Sequence, residues 1–163
     1  MKNLDLMDQL QRDWHTERPN LDSSAMGIVG RLVLLGERMK KRANEKLAPL
    51  GIGYTDLDVL ATLRRSGMPY RLRPADLLNA MLLQSGSLTA CLDRLERSAL
   101  IKRVPTPNDR RSRSVELTSK GKTLIDDAIT TRFKEAGDSV NGLTNKERQT
   151  LETLLRKLLV ATA

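Results

Sequence analysis

The run Leu100–Gly121, LIKRVPTPNDRRSRSVELTSKG, decides how this chain is read. Leu100, Ile101 and Val104 on one side, and Val115 and Leu117 on the other, have the β-branched and aliphatic makeup of two short strands. Pro105, Pro107, Asn108 and Asp109 between them supply turn chemistry, and the two prolines keep the hairpin tip from being a central sheet strand. Arg110, Arg111 and Arg113 then stand at an exposed tip. Guanidinium groups gathered on a projecting loop repel one another unless a polyanion is the partner, and nucleic-acid phosphate is the commonest. From Lys102 to Lys122 there are seven basic residues and two acidic ones, so five of the chain's net eight positive charges sit here.

Upstream, Pro74 suits the first turn of a helix over about 74–81, where its missing N–H costs nothing. LLQSGS then interrupts, and Ser85 or Ser87 caps a further helix to about Ser98, with Leu88, Leu92 and Leu95 inward. The order is helix, tight turn, helix, basic hairpin. Before it, Thr55 is expected to cap a helix over Asp56–Arg65, and Arg71 and Leu72 to add a short strand. A long helix over Ser23–Ala48 carries Met26, Ile28, Val29, Leu32, Val33 and Leu35 on more than one stripe, so its second face calls for another subunit. Leu6, Leu10 and Trp14 share one face of an N-terminal helix that must dock on something. Downstream, Thr118 caps a helix to about Gly137. Thr144 and Glu147 form a capping box before a last helix with an apolar stripe from Leu151 to Leu159.

The 163 residues suffice for one domain with its own core. Aromatics are only 2% of the chain, against single-strand binding by base stacking. One cysteine, Cys91, and one histidine, His15, leave no zinc cluster, no internal disulfide and no acid/base or nucleophilic constellation, so no metal, no cofactor and no enzyme is expected. With no leader pattern and no apolar run near 18 residues, a soluble cytoplasmic protein without membrane partners is expected.

Three segments carry a resemblance: Leu92–Arg103 (LDRLERSALIKR), Asp109–Arg111 (DRR) and Val115–Gly121 (VELTSKG). At this spacing the chain resembles the MarR family of bacterial transcriptional regulators over nearly its whole length. The resemblance implies a mainly α fold with a small β-hairpin, a winged helix-turn-helix with long N- and C-terminal dimerisation helices. Residues 1–20 would be an N-terminal helix and linker, and 21–163 one winged-helix domain. Its DNA-binding lobe would span about 55–120, with dimerisation helices over about 21–50 and 119–163. Asp109 would orient Arg111 toward the minor groove, with Arg110 and Arg113 on phosphates. Ser85, Ser87, Thr89 and Ala90 would meet bases and phosphates from the start of the recognition helix, and Arg94 would lie at the edge of that face. Ala90 stands where many members carry an Arg.

A narrower likeness, through Glu17–Leu32 and Asp56–Gly67, is to the urate-responsive branch of the family. That likeness implies an effector site of Trp14, Asp58 and Arg103, with Cys91 in place of a further Arg. The bland alternative pairs Asp58 with Arg103 and leaves Trp14 as a packing anchor. Cys91, between Leu88 and Leu92, reads as a small buried hydrophobe rather than a sensor. The expected function is a homodimeric repressor on a pseudo-palindromic operator in double-stranded DNA, released by a small planar effector, phenolic or purine-like. Because Arg103 leads into the hairpin, gripping it would shift the wing. The alternative is a constitutive architectural DNA-binding protein without effector.

Overall fold

The computed structural model describes residues 4–82, 88–106 and 109–162, with the side chains of residues 109–112 outside that description. Two compact units form, residues 1–42 and residues 43–163. The elements are α1 (Leu6–Glu17), α2 (Ser24–Leu47), a 3₁₀ turn (Ala48–Leu50), α3 (Tyr54–Arg65), β1 (Arg71–Leu72), α4 (Pro74–Ala80), α5 (Leu88–Arg97), β2 (Ile101–Thr106), β3 (Asp109–Leu117), α6 (Ser119–Ser139) and α7 (Asn145–Ala161).

In the first unit, Asp5 caps α1 by accepting the N–H groups of Met7 and Asp8, and Asp8 returns the favour to the Asp5 N–H at 2.9 Å. Arg31 of α2 grips both carboxylates, at 2.8 Å to Asp5 and 2.7 Å to Asp8. Gly30 lets the helices approach: a Cβ there would lie 2.1 Å from Met7 Cε. Gly27 lies less tightly under Gln11, where a Cβ would be 2.9 Å from the amide, and that amide donates to the Ser23 carbonyl at 2.9 Å. Only slim side chains fit this glycine notch, so α1 turns Met7 and Gln11 inward. Leu6, Leu10 and Trp14, expected to be the docking face, remain exposed, Trp14 by 56%. Met26, Ile28, Val29, Val33 and Leu35 of α2 are exposed as well.

The second unit is built around α3, which packs on α4, α5, α6 and β3. Val59, Leu60 and Leu63 of α3 are fully buried with Leu77 of α4, Leu95 of α5, Ile101 and Val115 of the hairpin, and Ile125 of α6. Each such aliphatic side chain contributes about 1.5–3 kcal/mol by leaving water. The winged arrangement follows directly: α4 and α5 are the helix-turn-helix, and β2–β3 the wing. β1 completes an antiparallel sheet of order β1-β3-β2, with Arg71 and Lys102 both opposite Glu116.

Three local expectations shift. The hairpin strands are longer than their aliphatic residues suggested. Pro105 belongs to β2 opposite Arg113, and Asp109, Arg110, Arg111 and Arg113 belong to β3 rather than to a turn. β2 is an edge strand, where a missing N–H is tolerated, and the register slips between Pro105 and Thr106. Pro107 and Asn108 lie outside the described residues. Helix α3 starts one residue before Thr55, with Gly53 as its N-cap. Asp56, one turn on, accepts the Gly53 N–H at 2.9 Å and does the capping work assigned to Thr55. Helix α4 stops at Ala80. Pro74, Thr118 and the Thr144–Glu147 box act as expected.

The joint between α5, the wing and α6 is tight. Leu100 N–H reaches the Leu95 carbonyl at 3.0 Å and Ala99 N–H the Glu96 carbonyl at 2.9 Å, closing α5 in the pattern that needs a left-handed residue. Ala99 occupies that position at φ +56°. Thr118 Oγ1 donates to the Ala99 carbonyl at 2.8 Å and accepts the Gly121 N–H at 2.9 Å. A Cβ on Gly121 would sit 1.9 Å from the Leu100 carbonyl oxygen, so only glycine admits the wing root against α6. Ala99 carries a left-handed penalty that glycine does not. Ala99→Gly is expected to stabilise the protein by about 0.5–1 kcal/mol, measured by urea denaturation with an unchanged slope.

Candidate nucleic-acid interface

The sequence of α5 separates its two sides. Cys91, Leu92 and Leu95 are buried, while Thr89, Ala90 and Arg94 are exposed. Spacings of three and four place the buried set on one stripe, which leaves the first-turn residues Thr89 and Ala90 to the solvent. Ser85 and Ser87, also assigned to this surface, lie outside the described residues. From α5 the chain enters β2, which packs against it. The backbone of Asp109, Arg110 and Arg111 runs in β3, and Arg113 is exposed opposite Pro105.

Ion pairs brace the root of the wing. Glu116, on the central strand, takes Lys102 of β2 at 2.7 Å and Arg71 of β1 at 2.6 Å, one cation from each neighbour. Lys102 first, and then Arg71, outweigh partial burial and hold the Glu116 carboxyl below its ordinary range. Arg103 bridges wing and helix: its guanidinium meets Asp93 at 2.6 Å and Glu96 at 2.8 Å, both on α5. Arg103 therefore pairs with these two carboxylates and not with Asp58.

The end of α4 and the residues just after it are tied to α3. Asp58, 8% exposed, accepts the Leu82 N–H at 3.2 Å, and Arg65 donates to the Ala80 carbonyl. Asp58 also lines a cavity of about 280 Å³ between α3 and α6, with Tyr54, Arg65, Ile129, Arg132 and Phe133. Arg132 lies 5.5 Å from the Tyr54 ring centroid and is fixed by buried Glu135 at 2.5 Å. Trp14, in the other unit, lines a cavity of about 340 Å³ with Leu21 and Met26. Arg65, Arg132, Tyr54 and Phe133 escaped the sequence reading because nothing in their spacing marks a shared wall; it exists only once α6 lies on α3.

Asp56 also escaped it. Its carboxylate is buried, and Oδ1 takes Arg94 Nη2 at 2.5 Å and the Cys91 thiol at 3.1 Å, while Oδ2 takes the Gly53 N–H. Burial opposes the charge, but Arg94, the Gly53 N–H and the thiol together keep the carboxyl below its ordinary value. Cys91 pays the complement: burial, then the neighbouring carboxylate, pushes its thiol up to about 12, which leaves it protonated and unreactive at neutral pH. Among the described residues, no cluster of His, Cys, Asp or Glu could hold a metal ion, and no helix is long and apolar enough to cross a membrane. A carboxyl with a lowered folded pKa stabilises the fold above its unfolded value and loses that contribution as pH falls through the folded one. Asp56→Asn is therefore expected to cost about 1–2 kcal/mol at neutral pH. The gap to the parent should close on acidification below about pH 4, in urea titrations over that range.

Known proteins resemble this chain in sequence and in fold. Residues 52–112 match the model of the MarR family. The transcriptional regulator PecS of Dickeya dadantii is 31% identical over 155 residues, covering 95% of this chain and 93% of that protein. The multiple antibiotic resistance protein MarR of Salmonella typhimurium is 34% identical, covering 80% and 90%. Among solved structures, a mutant MarR from E. coli complexed with operator DNA superposes with a TM-score of 0.71 at 28% identity, covering 90% of this chain and 97% of that one. An exposed first turn on α5, a basic hairpin locked to that helix and relatives matched almost end to end lead to one conclusion: the chain belongs to the MarR family of winged-helix transcriptional regulators.

Proposed function

We propose that this regulator binds double-stranded DNA as a homodimer on a pseudo-palindromic operator, represses transcription there, and is released by a small planar effector, phenolic or purine-like. The observation that carries the DNA reading is the pairing of an exposed α5 first turn, Thr89 and Ala90, with a wing strand bearing Asp109, Arg110, Arg111 and Arg113. Ser85 and Ser87 belong to the same proposed surface. The operator complex of the E. coli relative supports the assignment. Arg110 and Arg113 on phosphates supply affinity, Arg111, oriented by Asp109, enters the minor groove, and the α5 first turn reads base edges.

Dimerisation is supported by apolar surface that a lone chain leaves in water. In one unit this is Met26, Ile28, Val29 and Val33 of α2; in the other it is Leu151, Leu154, Leu158, Leu159 and Val160 of α7. Exposed apolar patches of this extent mark association sites. Two copies would present two α5 helices to half-sites about 34–36 Å apart. On an operator fragment, the dimer is expected to give a short symmetric footprint, with affinity falling steeply as salt rises. Uniform coverage of the fragment would instead favour the constitutive architectural protein.

The effector reading places the chain nearest the urate-responsive branch on Trp14, Asp58 and Arg103. It is supported by the buried Asp58 carboxylate in its cavity, which holds both cations and aromatic faces. Asp58 would accept from a ring N–H or hydroxyl while holding the Leu82 N–H at the start of the turn that leads to α5. An anion reaching Arg103 would compete with Asp93 and Glu96 and so loosen the wing from α5. In a thermal-shift series of urate, other purines and phenolic acids, at least one compound should raise the melting temperature by several degrees, as about 2–4 kcal/mol of saturating binding implies. Asp58→Asn should abolish that shift; a series without any shift counts against the effector.

A further inference from the structure

Arg94 stands at the border of the surface assigned above to DNA, and its place on α5 reads as one more phosphate contact. One nitrogen of its guanidinium is already engaged, though half of the side chain stays exposed. Nη2 lies 2.5 Å from Oδ1 of Asp56, a carboxylate 5% exposed in the first turn of α3. The same oxygen takes the thiol of Cys91, one turn earlier on α5, at 3.1 Å, and the other oxygen takes the Gly53 N–H at 2.9 Å. One carboxylate thus receives two donors from the recognition-type helix and one from the backbone that opens α3.

The consequence follows from what removal would leave behind. Drawn away to a phosphate, Arg94 would abandon a buried carboxylate to an amide and a weak thiol donor, and an unmatched buried charge is strongly unfavourable. The apolar contacts of Leu92 and Leu95 choose which side of α5 faces inward, yet they are non-directional and tolerate small rotations. Charge-assisted hydrogen bonds have a direction. Two of them from successive turns therefore define the rotation of α5, and with it where Thr89 and Ala90 point.

We propose that Asp56 is the positioning residue of the DNA-reading helix: through Arg94 and Cys91 it sets the rotation of α5 on α3, and it withholds Arg94 from the DNA backbone. This rests on the DNA reading of the preceding subsection. A phosphate contact and a positioning contact separate cleanly by salt, because each neutralised phosphate adds about 0.9 to the slope of log affinity against log salt and a positioning residue adds nothing.

The full-length protein, Asp56→Asn, Arg94→Gln, the double variant and Arg110→Gln would be titrated onto the footprinted duplex across a salt series, with thermal melts to verify folding. Asp56→Asn and Arg94→Gln are each expected to weaken operator binding by roughly tenfold. The double variant should lie within about twofold of the weaker single one, because both remove the same coupling. Arg94→Gln should keep the parent's salt slope, whereas Arg110→Gln lowers it by about one. A second readout needs no DNA: an aromatic disulfide reagent should modify Cys91 several-fold faster in Asp56→Asn than in the parent or in Arg110→Gln. A loss of about one in slope on Arg94→Gln, losses that simply add, or unchanged thiol reactivity in Asp56→Asn would overturn the positioning role and leave the DNA reading standing. A parent protein that binds no duplex specifically would overturn both.

Discussion

The carboxylate of Asp56 is the constraint on which the second unit, residues 43–163, turns. It closes the first turn of α3 on the Gly53 N–H, and α3 is the helix against which α4, α5, α6 and the wing strand are all packed. The other carboxylate oxygen, Oδ1, holds α5 through both Arg94 and Cys91. A single buried charge with three donors is costly to disturb, since any one partner lost leaves the others insufficient. Hydrophobic burial gives the unit most of its stability; this carboxylate gives it an orientation.

From that anchor, rigidity passes outward by short polar links rather than by more core. Arg103 ties the first wing strand to Asp93 and Glu96 of α5, and Glu116 gathers Arg71 and Lys102 across the three strands. Thr118 and Gly121 seat the wing root on the start of α6. The wing and the recognition-type helix are therefore coupled at the root, while the arginine-bearing strand extends away from the core. Arg103 is the point at which the near end of the hairpin is pinned to α5. Asp58 provides a further link, joining a cavity wall to the backbone at Leu82.

The N-terminal unit shows a different balance. Arg31 and the Gly27–Gly30 notch fasten α1 to α2 through Met7 and Gln11, so Leu6, Leu10 and Trp14 of α1 and Met26, Ile28, Val29 and Val33 of α2 stay outside. A chain that spent those residues on its own interior would have less apolar surface to offer a second copy. The arrangement leaves Trp14 56% exposed beside Leu21 and Met26.

The winged-helix order and the basic hairpin were legible in sequence, because alternation, helix periodicity and proline punctuation are local properties, while the MarR resemblance rested on the segments Leu92–Arg103, Asp109–Arg111 and Val115–Gly121. Thr118, Pro74 and the Thr144–Glu147 box were legible for the same reason: a cap is decided within one turn. The extension of the wing through Pro105 was not, since whether a proline ends a strand depends on the strand lying at an edge, and edge position is a property of the sheet. Nor were the roles of Asp56, Arg65 and Arg132. Asp56 meets Arg94 across 38 residues and Cys91 across 35, separations at which no spacing rule operates. Sequence by itself determined which residues are apolar, which turns can form and that the wing is basic. Only the tertiary structure decided which carboxylate each arginine meets, because burial and long-range ion pairing are settled when helices close on one another, not before.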